Sequence, residues 1–150
     1  MVSHEALPTD TGAIVADVAD RAPKAPKAPK GSGGPSAADA EVAIARLRAM
    51  SADLRGCVIL DPEGAPLGAS GDLERWAEAG RGLLAAADAA AGEPVTHAHV
   101  GTEDGEAFAV RDQGFALIAA ADRFALTSLL FFDIRVVLND LVRGPDAAAA

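Results

Sequence analysis

The sequence predicts an α+β domain with a mostly antiparallel sheet between residues 36 and 144. Three segments place apolar residues at the three- to four-residue spacing that is typical of helices. Five short apolar segments have the length of strands, and the turns that join neighbouring strands carry glycine or proline, as hairpin turns do. The predicted order is helix, two strands, helix, three strands and helix.

The first helix is expected to begin after Ser36, because Ser36 and Asp39 have the spacing of a capping box. Its apolar positions recur at helical spacing and predict its buried face: Ala40, Ala43, Ile44, Leu47 and Met50.

Residues 56–70, GCVILDPEGAPLGAS, follow this helix and predict a hairpin. Val58 and Cys57 fall on opposite faces of an apolar strand, so both faces of this strand are expected to be covered. The sequence DPEG has Asp, Pro and Gly where a β-turn favours them, and Pro66 places the second strand at a sheet edge. A phosphate-binding loop is excluded, since this loop has two prolines and no lysine and leads into a strand.

The middle helix is expected to start at the cap residue Asp72 and to stop at Gly92 and Pro94. Its apolar stripe consists of Leu73, Trp76, Gly80, Leu83, Leu84 and Ala87. Gly80 and Gly82 reduce helix propensity but allow another backbone to approach closely.

Three strands, VTHAHV, AFAVR and FALIAAA, are predicted next, joined by the turns GTEDGE and DQG. The last helix is expected from about Leu126 to Leu141. Its plainly polar strip is narrow and consists of Ser128, Arg135 and Asn139. We therefore expect this helix to be buried on more than one side.

Both ends of the chain are expected to lie outside the domain. Residues 1–35 predict a disordered tail with an Ala-Pro-Lys repeat and a Gly/Ser linker, and residues 145–150 predict a disordered C-terminus. Two alternatives remain for the tail. Its basic repeat could dock on an acidic surface, or the segment GAIVADVA could bind a partner.

Composition limits the classes of partner and compartment. The net charge of −9 lies wholly outside the electrically balanced residues 1–35, and it disfavours binding of nucleic acid by the domain. The single cysteine, Cys57, fits a reducing compartment. The N-terminus lacks the pattern of a signal peptide, and the longest apolar run is too short for a membrane span. These features predict a cytoplasmic protein.

No catalytic, cofactor-binding or metal-binding residue is predicted. His97 and His99 fall on one strand face, but their nearest candidate co-ligands, Glu103 and Asp104, lie in a turn of an acidic protein. The turn TEDGE lacks the acidic series of a calcium loop. Cys57 is interpreted as a buried structural thiol, because it lacks an activating basic tract.

Two stretches resemble the roadblock/dynein light-chain family. RGCVILDPEGAPLGASGD is similar to the first hairpin of that family, and GFALIAAADRFALTSLLFFDIRVVLNDL is similar to its last strand, bend and closing helix. The resemblance implies a five-stranded sheet of order 2-1-5-4-3. It also implies that the first and last helices cover one face and the middle helix covers the other.

The resemblance implies a non-enzymatic adaptor or regulator. Family members form homodimers or heterodimers through the middle helix and the third strand, and they commonly serve small Ras-like GTPases or motor complexes. The alanine-rich composition resembles that of proteins from GC-rich bacteria, in which such proteins accompany a GTPase and a sensor kinase. Arg111 and Arg135 are exposed candidates for an arginine donated to a GTPase, but neither is assigned this role, because a solvated arginine is the commoner case. The alternative function is a small-ligand sensory module of profilin- or PAS-like architecture, which would need a cavity with polar anchors.

A homodimer is also favoured by the surplus of apolar residues on the middle helix and by the expected position of the third strand near a sheet edge. The predicted interface consists of Leu73, Trp76, Gly80, Leu83, Leu84, Ala87, His97 and His99. Removal of residues 1–35 is expected to leave folding and dimerisation unchanged.

Overall fold

The computed structural model describes residues 14–16 and 34–144. Its elements in chain order are β1 (Ile14–Ala16), α1 (Ala37–Met50), β2 (Leu54–Leu60), β3 (Pro66–Ala69), α2 (Leu73–Ala91), β4 (His97–Gly101), β5 (Glu106–Asp112), β6 (Phe115–Ala121) and α3 (Thr127–Arg143).

The strands form one antiparallel sheet with the order β1-β4-β5-β6-β2-β3. From β2 onwards the strands follow the order 2-1-5-4-3, so the α+β class and the topology expected from the sequence are confirmed. β3, which begins with Pro66, lies at one edge of the sheet, as predicted.

Helices cover both faces of this sheet. α1 and α3 pack on one face over Cys57, Ile59 and Phe108, while α2 packs on the other face over Val58 and Ile118. Neighbouring residues of β2 therefore belong to two separate cores. This division explains why both faces of that strand are apolar.

Local signals in the sequence set the helix ends. Ser36 Oγ accepts a hydrogen bond from the Asp39 amide, and Asp39 Oδ2 accepts one from the Ser36 amide, so the predicted capping box is confirmed. Asp72 caps α2 by accepting from the Arg75 amide at 3.2 Å. Gly92 ends α2 in the left-handed conformation, with φ of 82°.

The predicted hairpin turns also form. Asp61 Oδ1 accepts hydrogen bonds from the Glu63 and Ala65 amides, which fixes the turn between β2 and β3. Gln113 and Gly114 join β5 to β6 with φ of 52° and 89°. Positive φ at both central residues is the requirement of a type I′ turn, which matches the twist of two paired strands.

β1 is a strand that the sequence analysis did not predict. Ile14–Ala16 pair with β4 on the side away from β5, so β4 is not the edge strand that we expected. The segment GAIVADVA contains these residues, and its centre binds the chain's own sheet. The other residues of the predicted tail before Gly34, and the predicted disordered residues 145–150, lie outside the described residues.

α3 packs against the strands β5 and β6 and also against α1, so it is covered on two sides, as predicted. Its buried residues are Leu130, Asp133, Ile134, Val137, Leu138 and Leu141. Leu129 and Phe132 point away from the sheet and are 52% and 62% exposed. The helix therefore carries large apolar side chains that no described part of the chain covers.

Cys57 is fully buried in β2, as the sequence interpretation expected. Burial raises the pKa of its thiol to about 11, and the nearby charge of Arg48 offsets only part of this rise. We expect a thiol reagent at about pH 8 to leave the native protein unlabelled, because the thiolate is the reactive form. One thiol per chain should react in concentrated guanidinium chloride. Rapid labelling of the folded protein would contradict the buried position.

Candidate interaction surfaces

Four residues of α2 form its sheet-facing side: Ala77, Gly80, Leu84 and Ala87. At Gly80 the approach is tight, since a Cβ atom there would lie 3.1 Å from Ile118 Cδ1 and 3.3 Å from Val58 Cγ1. Gly80, Leu84 and Ala87 were predicted to lie in a dimer interface. The structure places them in the core of the same chain, so an interface on α2 would use the outward side of the helix.

The outward side of α2 carries mainly short side chains. Its exposed small residues are Ala79, Gly82, Ala85, Ala86, Ala89 and Ala90. A Cβ atom at Gly82 would meet nothing within 4 Å, so this glycine serves no close approach within the described chain. A surface of this kind allows a second helix to approach closely.

The remaining predicted interface residues of α2 are only partly available. Leu73 is 39% exposed, and Leu83 is half-buried. Trp76 lies across β2, where a Cβ atom on Gly56 would overlap its indole ring. Gly56 therefore makes room for the only tryptophan of the chain.

His97 and His99 lie on the same face of β4, as predicted, and their side chains point to the layer of α3. The His99 ring stacks on Phe108 with a centroid distance of 4.8 Å, and His99 Nε2 lies 2.9 Å from Glu106 Oε1. The His97 ring packs edge-on against Phe131 at 5.3 Å. These half-buried side chains belong to an aromatic cluster, which leaves the β4 backbone as the part of the strand that pairs with a neighbour.

β1 contacts both the edge of β4 and α2. In the register of the pair, Ile14 lies opposite Val100 and Ala16 lies opposite Ala98. β1 also contacts α2. This N-terminal strand therefore occupies the same strand and helix through which the sequence predicts a homodimer.

A salt bridge closes the C-terminal half of α2 onto β5. Arg111 Nη1 and Nη2 each donate to Asp88 at 2.9 Å, and Arg111 Nη1 also donates to the Val95 carbonyl. Burial would raise the pKa of the Asp88 carboxyl, but hydrogen bonds from Arg111 and the Val95 amide and the charge of Arg111 lower this pKa below its ordinary value. Arg111 thus forms a salt bridge with Asp88 of α2 and is not the exposed arginine that we expected.

This salt bridge also lines a groove of about 280 Å³ beside Pro62 and Arg81. Arg81 Nη1 donates to the Gly64 carbonyl at 2.8 Å, and Asp88 and Arg111 bind each other. The cationic side chains of the groove are therefore already satisfied by the protein. The described part of the chain has no buried side-chain nitrogen or oxygen without a hydrogen-bond partner. A small-ligand sensor would need such polar anchors.

Apolar side chains are exposed around the start of α3, and we call Phe124, Leu126, Leu129 and Phe132 the apolar patch. Phe124 is 81% exposed and Leu126 is 67% exposed. Leu126 and Leu129 also line a groove of about 90 Å³ with Met50 of α1. Large exposed apolar side chains near one another are a feature of protein-binding sites, so the apolar patch is a candidate interaction surface.

Phe124 has an unfavourable backbone conformation within this patch. Its φ of 69° lies in the left-handed region, which costs a bulky residue about 1–2 kcal/mol. The Arg123 guanidinium lies 4.6 Å from the Phe124 ring centroid. Strained conformations concentrate at functional positions, which makes Phe124 a candidate for a functional role.

Sequence reasoning identified the apolar surplus of the last helix but placed it in the core. The signal that could have located the patch is FALTSLLFF, in which Leu126, Leu129 and Phe132 follow one another at three-residue spacing. This row lies beside the buried row of α3. Only the position of the sheet shows which of the two rows is covered.

Residues 14–16 and 34–144 contain neither a candidate metal site nor a candidate membrane-spanning helix. No three of their His, Cys, Asp and Glu side chains are close enough to hold a metal ion. None of their helices is both long and apolar enough to cross a bilayer.

Known structures with the same architecture are distant in sequence. A Roadblock/LC7 domain from Streptomyces avermitilis superposes with a TM-score of 0.57 at 18% identity, over 65% of this chain and 90% of that domain. MglB from Myxococcus xanthus superposes with a TM-score of 0.59 at 14% sequence identity, over 79% of this chain and 92% of that protein. The gliding protein MglB from Thermus thermophilus superposes with a TM-score of 0.58 at 15% sequence identity, over 81% of this chain and 96% of that protein.

No protein family and no curated protein matches the chain by sequence. The likeness in structure covers nearly the whole of each of these proteins, and its topology is the one that the two sequence stretches imply. The chain has the Roadblock/LC7 fold.

Proposed function

We propose that the chain is a non-catalytic adaptor that dimerises and binds a small Ras-like GTPase. The observation that carries this proposal is the Roadblock/LC7 fold, shared with two MglB structures, together with an apolar patch that no described part of the chain covers. A sensor kinase is a further partner in the same proposal, and it rests on the sequence resemblance alone.

The proposed homodimer joins two copies through β4 and the outward side of α2. In this arrangement β1 would leave the edge of β4, and two copies of β4 would pair antiparallel about a twofold axis, which gives each copy the same contacts. The short side chains around Gly82 and Ala86 would allow the two α2 helices to pack closely. The core residues Leu84 and Ala87 would then support the interface from beneath.

The proposed GTPase site is the apolar patch, with Phe132 and Leu129 as its anchors on α3. Aromatic and large aliphatic side chains in the centre of an interface supply most of the binding energy. The net charge of −9 would favour a basic surface on the GTPase, and rising salt should weaken the association.

Titration against the small Ras-like GTPases of the same genome, loaded with GDP or with a non-hydrolysable GTP analogue, tests this proposal. Phe132→Ala should lower the affinity about tenfold, which corresponds to about 1.4 kcal/mol. Val42→Ala is the matched control, because Val42 is 69% exposed on α1 and lies outside the patch. Isothermal titration calorimetry measures both affinities.

If the Phe132→Ala variant binds a GTPase with unchanged affinity, the GTPase site does not lie on the apolar patch. If no GTPase binds in either nucleotide state, and a small metabolite raises the melting temperature instead, the adaptor proposal fails in favour of a sensory module. The adaptor alone should hydrolyse no GTP.

A further inference from the structure

We infer that the apolar patch binds an acidic amphipathic helix of its partner, in which carboxylates flank the apolar side chains. The inference rests on the proposed function, because it concerns the same patch, and it adds the chemistry of the surface that meets the patch. The observation that carries it is the set of three exposed arginines on α3 and the bend before it: Arg123, Arg135 and Arg143.

The carboxylates of α3 and of the preceding bend are held within the domain. Asp122 accepts a hydrogen bond from Arg55 Nε at 2.6 Å, and Asp140 accepts one from Arg46 Nη1 at 2.6 Å. Asp133, the third carboxylate of this stretch, is only 5% exposed. These carboxylates therefore do not neutralise the arginines around the patch.

The three arginines form no salt bridge with a carboxylate of residues 14–16 or 34–144. The Arg123 guanidinium lies over the Phe124 ring. Arg135 Nη2 lies 3.3 Å from a ring nitrogen of His97, and Arg143 Nη1 donates to the amide oxygen of an asparagine one turn earlier. None of these contacts supplies a negative charge. The positive charges therefore remain available to a partner.

The arginines border the apolar patch on several sides. Arg123 immediately precedes Phe124 at one end. Arg135 follows Phe132 by three residues, so the two side chains are neighbours on the surface of α3. Arg143 lies beyond the patch in the last turn of the same helix. The patch is therefore an apolar strip with a positive charge at each end and along one side.

The shape of this strip fits a helix. Leu126 and Leu129 line a groove with Met50 of α1, so the apolar surface continues from α3 towards a second helix. A groove of this kind binds an amphipathic helix, whose apolar residues recur every three or four positions. Asp53 also lines the groove and is exposed, but the three arginines outnumber it.

The charge around the patch has the opposite sign to the charge of the whole chain, which is −9. Exposed carboxylates lie elsewhere, for example Glu74 and Glu78 on α2 and Glu103 and Asp104 after β4. The net charge acts on the approach of a partner, whereas the arginines act on groups within a screening length of about 8–10 Å. The net charge also repels an anionic membrane, so a protein segment is the favoured occupant.

Two synthetic peptides of about 20 residues, long enough to form a helix, test the inference on the full chain. Both carry the same leucine and phenylalanine face, flanked by glutamate in one peptide and by lysine in the other. The glutamate peptide should bind about tenfold more tightly by fluorescence anisotropy, and rising salt should weaken its binding. The net charge alone would give the reverse order.

Substitutions locate the effect. Arg123→Gln and Arg135→Gln should each weaken binding of the glutamate peptide about threefold, as expected for exposed charge pairs. Arg75→Gln is the matched control, because it removes the same charge from an exposed position on α2 and should leave the affinity unchanged. Asp53→Asn should act in the opposite direction and strengthen binding. Circular dichroism should show the same fold in all four variants.

Tighter binding of the lysine peptide, binding of neither peptide, or equal affinities in the arginine variants would overturn the inference. Sedimentation with vesicles of phosphatidylserine and phosphatidylcholine that Phe132→Ala abolishes would assign the patch to a membrane and would also overturn it. The adaptor proposal is tested separately. A GTPase that needs Phe132 but binds Arg123→Gln and Arg135→Gln normally would leave that proposal intact and overturn the inference. Preference for the glutamate peptide without binding of any GTPase would support the inference and contradict the adaptor proposal.

Discussion

Phe108→Ala is expected to lower the free energy of unfolding by about 3–5 kcal/mol, the largest effect of any substitution that we predict. Phe108 is fully buried in β5 under α3. Its ring contacts His99 on one side and Phe131 at a centroid distance of 5.1 Å on another. Alanine would leave a cavity in a core that has few other aromatic residues, so neighbouring side chains could fill it only in part.

Phe132→Ala is the matched control, because it deletes the same atoms from a side chain that is 62% exposed on α3. It should change the free energy of unfolding by less than about 0.5 kcal/mol. Urea denaturation of both variants at one protein concentration measures the difference. Equal losses would show that the outward row of α3 is covered in solution, for example by a second copy.

Gly80→Leu is expected to destabilise the protein by about 1–3 kcal/mol, because it forces α2 away from the sheet. Even a Cβ atom at Gly80 would lie closer to Ile118 and Val58 than ordinary van der Waals contact. A leucine side chain needs several times more room. The substitution would destabilise the core that holds Leu84 and Ala87, whether the protein is a monomer or a dimer.

The Gly82→Leu variant distinguishes an effect on the proposed dimer interface from an effect on the core, because Gly82 and Gly80 lie on the same helix. Gly82 is exposed, and a Cβ atom there would meet no atom of the described residues within 4 Å. Leucine has the higher helix propensity, so the monomer should gain up to about 1 kcal/mol. A large side chain there should weaken the proposed contact between two α2 helices. Thermal unfolding and sedimentation velocity measure the two effects. A stable Gly80→Leu variant that fails to dimerise would show that Gly80 belongs to the interface after all.

The sequence by itself determined the order of the elements from α1 onwards, the ends of α1 and α2, and the faces of the strands. Ser36, Asp39 and Asp61 act through hydrogen bonds to residues nearby in the chain. Gly114 acts through its own backbone conformation, so the effects of all four can be read without a tertiary structure. The alternation of Cys57 and Val58 on β2 likewise follows from strand geometry alone.

Only the tertiary structure decided which apolar surfaces are covered. The stripe with Gly80 and Leu84 and the row with Leu129 and Phe132 have similar spacing in the sequence, yet the first packs on the sheet and the second is exposed. Periodicity gives the direction of a side chain relative to its helix but not the position of the helix relative to the sheet. The pairing of Ile14–Ala16 with β4 was beyond local reasoning for the same reason, since it joins residues that are far apart in the chain and uses backbone groups that every sequence offers.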